Sequence, residues 1–218
     1  RLRVDRAVFA GTGGPWARVS GFRRDAAVPR GASVLVGRPG GRPRVLLDGR
    51  RLRAAAGGGA VVDALALSPD GKLAAVSAGR PGRPWVVLVV GLDGRQVARI
   101  PLADGHRPAW VGWSDRQGAT TLAVAAVDRR GPLSTADLDS RRGGGYLLAW
   151  QPADRTSRVL TSGVPMVAAD GFAWSSDGDS VAVSSPAGVL VVKQGDVVYP
   201  TASPVTGTLV AWPSEPAP

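Results

Sequence analysis

The sequence predicts an all-β chain of repeated antiparallel units. Three observations carry the prediction. A polar turn followed by a small-residue strand recurs along the chain, Asp-Gly pairs separate apolar runs, and no stretch has a useful helical period. Gly (30) and Pro (18) are abundant in the 218 residues, as many short strands joined by turns require.

The recurring turn is clearest in "LALSPDGKLAAVS" (Leu65 to Ser77) and "FAWSSDGDSVAVS" (Phe172 to Ser184), which align without a gap. Asp70-Gly71 falls on Asp177-Gly178. "AVPRGASVLVG" (Ala27 to Gly37) is a weaker copy with Arg30 in place of the Asp, and "VGWSDRQGATTLAVAAV" (Val111 to Val127) is a copy with a longer turn. A lone catalytic residue has no reason to recur; a strand-turn-strand unit does. Asp70, Gly71, Asp177 and Gly178 are therefore read as turn residues. The carboxylate accepts from nearby backbone N–H groups and the Gly takes the left-handed position.

Each copy continues in the same way. Strand Val34 to Gly37 leads through a Gly/Pro/Arg loop to Arg44 to Leu47, and Asp48-Gly49 then predicts a hairpin into a strand over Arg50 to Arg53. Strand Ala74 to Ser77 leads likewise to Trp85 to Val90, and Asp93-Gly94 turns into Gln96 to Ile100. The anchors are 40 residues apart from Pro29 to Pro69, 46 from Leu67 to Trp113, 61 from Trp113 to Trp174 and 38 from Trp174 to Trp212. The long interval holds a polar insert, Asp128 to Tyr146. Roughly 40–50 residues per four-stranded unit is the period of a β-propeller blade. Blades are expected near 22–55, 61–101, 108–161 and 168–200, within one propeller domain over 1–212 followed by a tail, 213–218. Arg1 to Gly11 and Thr206 onward are expected to share one more blade, giving about five, unless the chain is part of a larger ring.

"SPDGKLAAVS" and "WSSDGDSVAVSS" resemble the Tol-type, WD-repeat-like propeller repeat, whose hallmark is a W-S-P-D-G-x-x-[IVL]-A-[FV] core. The match is good at Ser68-Pro69-Asp70-Gly71 and Trp174-Ser175-Ser176-Asp177-Gly178 and partial at Trp113-Ser114-Asp115 and Ala211-Trp212-Pro213. The resemblance implies the propeller fold and an extracytoplasmic setting, periplasmic or at the cell surface, with an anchor or signal upstream of Arg1.

Charge and composition narrow the chemistry. Residues 1–53 hold 13 Arg against 3 Asp, whereas the rest of the chain is balanced. The basic loops "GRPGGRPR" (Gly37 to Arg44) and "GRPGRP" (Gly79 to Pro84) place Arg38, Arg42, Arg44, Arg80 and Arg83 as a candidate anion or partner patch, if both loops fall on one face. Their order differs from an Arg-Gly-Arg-Pro minor-groove hook, and nucleic acid is not the expected partner. With no Cys there are no disulfides, thiolate metal sites or thiol nucleophiles. One His (His106) and no G-x-S-x-G elbow argue against a self-contained serine hydrolase. "DLDSRRGGG" places Arg141 where a calcium loop needs its third acid, so no metal and no cofactor is expected. No apolar run approaches the ~20 residues of a membrane helix. The expectation is a non-enzymatic scaffold that binds a protein or an anionic envelope polymer or lipid through loops at one end. The alternative is the propeller of a larger hydrolase or peptidase, or a propeller enzyme acting at its central channel.

Overall fold

A computed structural model describes residues 8–9, 14–20, 33–80, 83–116, 119–128, 145–164, 172–175, 180–185, 188–193 and 196–198. Sixteen strands and one helix occupy them: β1 (Val8–Phe9), β2 (Trp16–Ser20), β3 (Ser33–Gly37), β4 (Arg44–Leu47), α1 (Gly49–Ala56), β5 (Val61–Leu67), β6 (Leu73–Gly79), β7 (Val86–Gly91), β8 (Gln96–Pro101), β9 (His106–Arg116), β10 (Ala119–Asp128), β11 (Gly145–Trp150), β12 (Ser157–Val164), β13 (Phe172–Trp174), β14 (Ser180–Ser185), β15 (Gly188–Lys193) and β16 (Asp196–Val198). They form four antiparallel sheets of four consecutive strands each: β1–β4, β5–β8, β9–β12 and β13–β16. The chain divides into two compact units, 1–111 and 112–218, and the division falls within β9.

In the first unit the core lies between the first two sheets. Ala17, Val34, Val36 and Leu46 of one meet Val62, Ala74, Val76, Val86, Leu88 and Val90 of the other. β6 and β7 are buried on both faces, which is why "LAAVSAG" and "VVLVVG" read as near-continuous apolar runs rather than alternating ones. The small side chains of β6 let neighbouring layers come close. In the second unit Leu122 to Ala126 of β10 and Leu147 of β11 are wholly buried. There Trp113 packs edge-on against Trp150, with ring centroids 6.3 Å apart, and Trp174 Nε1 donates to the Gly112 carbonyl at 3.1 Å.

The two Asp-Gly pairs diverge. Asp93-Gly94 makes the expected hairpin: Gly94 sits at φ +92 and the Gly91 N–H donates to the Arg95 carbonyl at 2.8 Å. Asp48-Gly49 does not. The strand expected over Arg50 to Arg53 is instead part of helix α1, and the expectation of no helix is corrected with it. Asp48 is the N-cap, its carboxylate accepting from the Arg51 N–H at 2.8 Å, and Gly57 closes the helix at φ +88. The cause lies in the following residues. After Gly49, "RRLRAAA" consists of strong helix formers and places Leu52 and Ala56 four apart, where both are buried. "QVARI" carries β-branched residues instead.

This helix changes the first sheet. By sequence, β2, β3 and β4 correspond to β5, β6 and β7, because Gly37-Arg38-Pro39 stands where Gly79-Arg80-Pro81 stands. The fourth strand after β4 is absent, and β1 completes the sheet from the other side, with Val8 opposite Ala17 and Phe9 opposite Trp16. Val8 and Phe9, expected in a blade shared with the C-terminus, thus belong to the first sheet. Asp177, Gly178, Trp212, most of the polar insert and the tail lie outside the described residues.

Candidate functional site

The SPDG turn is a closed hydrogen-bond unit. Ser68, fully buried, is its hub: its hydroxyl donates to Asp70 Oδ1 at 2.6 Å and accepts from the Leu73 N–H at 2.9 Å. Asp70 Oδ1 also accepts from the Lys72 N–H at 3.0 Å, Lys72 Nζ lies 3.4 Å from Oδ2, and Gly71 has φ +65. Partial burial pushes the Asp70 carboxyl up, but Ser68 and Lys72 together hold it below the usual range. Ser175 repeats the arrangement, its Oγ accepting from the Ser180 N–H at 2.9 Å. Every polar atom named here faces its own turn, so Asp70 organises the chain reversal.

The arginine loops fall on one end of the first unit. Arg51 Nη1 donates both to the Leu46 carbonyl of β4 (3.3 Å) and to the Gly94 carbonyl of the β7–β8 hairpin (3.0 Å). The C-terminal end of β4 therefore lies beside that hairpin. Arg38 and Arg42 precede β4 and Arg44 is its first residue, all at its opposite end, and Arg80 and Arg83 lie between β6 and β7, at the end of the second sheet opposite the hairpin. The two loops thus point the same way. Helix α1, ~12 Å long, runs from the hairpin end to the loop end, where Arg80 Nη1 donates to the Gly58 carbonyl at 3.0 Å. Arg38, Arg42, Arg44 and Arg83 are exposed and Arg80 is half-buried. Val45, 55% exposed, adds an apolar spot beside Arg44.

Two glycines shape this end. A Cβ on Gly79 would lie 2.2 Å from Trp85, and one on Gly37 would lie 2.5 Å from Trp16. Each loop therefore leaves its strand over an indole. Trp85 is buried, and its Nε1 has no hydrogen-bond partner among the described residues. Trp16 is half-buried, with the Arg18 guanidinium 5.7 Å from its ring centroid.

Sequence reasoning missed one acid. β5 carries a bulge between Val62 and Leu65, opposite Ala78 and Val76 of β6. Buried Ser77 fills it, its hydroxyl accepting from the Ala64 N–H at 2.6 Å and donating to the Ala64 carbonyl at 3.3 Å. Asp63 lies within the bulge. That residue keeps exposed surface, yet the protein around its carboxyl strips enough water to push it above the usual range, with Arg107 of β9 pulling the other way. The available signal was an acid interrupting the apolar strand "VVDALAL". A folded-state value above the unfolded one means the contribution to stability is full below the unfolded value and is lost as pH rises through the folded one. Asp63→Asn is expected to remove this loss. In urea titrations from about pH 3.5 to 7, its advantage over the parent should grow with pH; a pH-independent difference would count against the assignment.

Among the described residues no three His, Cys, Asp or Glu side chains gather as a metal site, and no helix is long and apolar enough to cross a membrane.

No protein-family model and no curated protein matches the chain. Solved structures do. The β-propeller domain of the Trilobed protease from Pyrococcus furiosus aligns over 90% of this chain and 56% of its own, with TM-score 0.50 and 10% identity. This chain is a β-propeller. A structure from work on two prolyl endopeptidases aligns over 89% of this chain and 28% of its own, with TM-score 0.50 and 17% identity. A nidogen/laminin complex matches over 89% of this chain and 79% of its own, with TM-score 0.49 and 13% identity. The propeller thus spans about half or less of the first two. The first two likenesses correct the expectation of a non-enzymatic chain, because one is to the propeller domain of a protease and the other to a structure of prolyl endopeptidases. At such identities the similarity concerns the fold.

Proposed function

We propose that this propeller is a recognition module that holds a protein or an anionic envelope component at its arginine-loop end. One observation carries the reading: the loops bearing Arg38, Arg42 and Arg44 and those bearing Arg80 and Arg83 share one end of the first unit, beside exposed Val45. Guanidinium groups fixed at the rim of a rigid sheet scaffold suit carboxylate or phosphate partners. The extracytoplasmic setting implied by the Tol-type resemblance belongs to the same proposal.

Changing Arg42, Arg44 and Arg83 together to Ser is expected to leave folding intact. Each exposed charge contributes ~0.2–1 kcal/mol, so the three together should weaken binding roughly tenfold. With the chain immobilised and loaded with envelope extract, the bound partner should leave the variant at lower salt than the parent. Identical elution would overturn the reading.

The likeness to the Trilobed protease propeller and to prolyl endopeptidases favours a second reading, in which the propeller belongs to a larger peptidase and its basic end admits or positions an acidic peptide. An active-site-directed fluorophosphonate should then label a longer polypeptide carrying this sequence. Absence of labelling, with the binding above intact, would remove this second reading alone.

A further inference from the structure

A second basic surface runs along α1 and the outer strand β8. Among the described residues the second sheet ends at β8, which pairs with β7 alone, from Val86 opposite Pro101 to Val90 opposite Gln96. Its Gln96, Arg99 and Pro101 are exposed, and Val97 and Ala98 are half-buried. Beside it, α1 buries Leu52 and Ala56 and turns Arg50, Arg51 and Arg53 outward. Two arginines join the helix to the strand edge. Arg51 donates to the Gly94 carbonyl, and Arg99 Nη2 donates to the Ala55 carbonyl at 3.2 Å. A carbonyl accepts such a bond without cancelling the charge. The neighbouring acids are committed to turns: Asp48 accepts from the Arg51 N–H, and Asp93 Oδ1 from the Arg95 N–H at 2.9 Å. Among the described residues four arginines, at positions 50, 51, 95 and 99, thus stand beside these two aspartates.

An outer strand offers a hydrogen-bonding edge to any extended chain, and charge on that edge decides which chain is admitted. A second copy would bring the same positive edge and be repelled. A chain bearing carboxylates at alternate positions meets the arginines directly. We propose that the β8 edge, flanked by α1, docks an extended acidic protein segment that adds as a further strand beside β8. This site is separate from the arginine loops.

The test uses the full 218-residue chain and a fluorescein-labelled peptide of alternating valine and glutamate. Fluorescence anisotropy should show binding that weakens about tenfold in the double variant Arg50→Glu, Arg95→Glu and is unchanged in the Arg42, Arg44, Arg83 triple variant. On binding, deuterium uptake should slow at the amides of Gln96 to Ile100. Undiminished binding by the double variant would overturn the proposal, as would binding without β8 protection. So would preferential capture of duplex DNA or phosphatidylglycerol vesicles at this surface, which would make it a phosphate-binding face instead.

Discussion

Gly79→Val is expected to destabilise the propeller by about 3 kcal/mol, near the top of the range for overpacking a closed core. The reason is close approach, since a Cβ at this position would meet Trp85 at 2.2, 2.5 and 2.6 Å on three ring atoms. The indole has little room to retreat. It is 5% exposed, it directly precedes β7, and its carbonyl accepts from the Leu102 N–H at 2.9 Å. Gly40 is the contrast: its φ of +72 favours glycine, yet open space surrounds it. Urea denaturation would measure the loss. Gly79→Ala combined with Trp85→Ala should cost less than the sum of the two single changes, because removing the ring makes room for the methyl group. Strict additivity would show that the clash is not the cause.

Ser68→Ala is expected to cost about 2 kcal/mol, the order for stranding a buried donor. The Leu73 N–H loses its acceptor in a turn where Ser68 is wholly shielded from water. The Asp70 carboxylate loses one of the groups that hold its pKa down. In the parent that depression stabilises the fold above the unfolded pKa and is lost as pH falls through the lower folded value. The variant should therefore show less of this acid-side loss. Ser175→Ala should behave similarly, since its hydroxyl engages both backbone groups of Ser180 (2.9 and 3.2 Å). A change below about 0.5 kcal/mol, the usual size for a neutral surface site, would contradict the role given to Ser68.

Where local chemistry had one outcome, the sequence was readable. Ser68-Pro69-Asp70-Gly71 closes on itself within a few residues, so its copies mark strand-turn-strand units whatever surrounds them. The buried strands were visible because a sheet covered on both faces leaves apolar runs such as Trp85 to Val90. Asp-Gly had two outcomes. Asp93 starts a hairpin and Asp48 caps a helix, and the choice rested on Leu52 and Ala56 finding a core, which is a tertiary fact. The pairing of β1 followed from that choice, since the helix took the place of a fourth strand.

The candidate surfaces divide in the same way. The loop arginines were legible because a loop with two Gly-Arg-Pro steps stands at the same point of two repeats. Their common end became visible only through Arg51, which bridges β4 and the β7–β8 hairpin. Arg50, Arg51 and Arg53 carry no sequence sign of their relation to Arg95 and Arg99, because that relation exists only once the segment is a helix. Asp63 was hidden because a bulge leaves no mark in sequence beyond an acid out of pattern, and its lock, Ser77, sits in the neighbouring strand.

The recognition reading depends on the two arginine loops sharing an end, and a distance tests this directly. The chain has no Cys, so Arg42→Cys and Arg83→Cys can carry the only two spin labels. Neighbouring sheets stack ~10 Å apart, and a seven-residue strand spans ~23 Å. Double electron-electron resonance should give a narrow distribution below about 25 Å. A main separation beyond about 35 Å would put the loops at opposite ends and contradict the account.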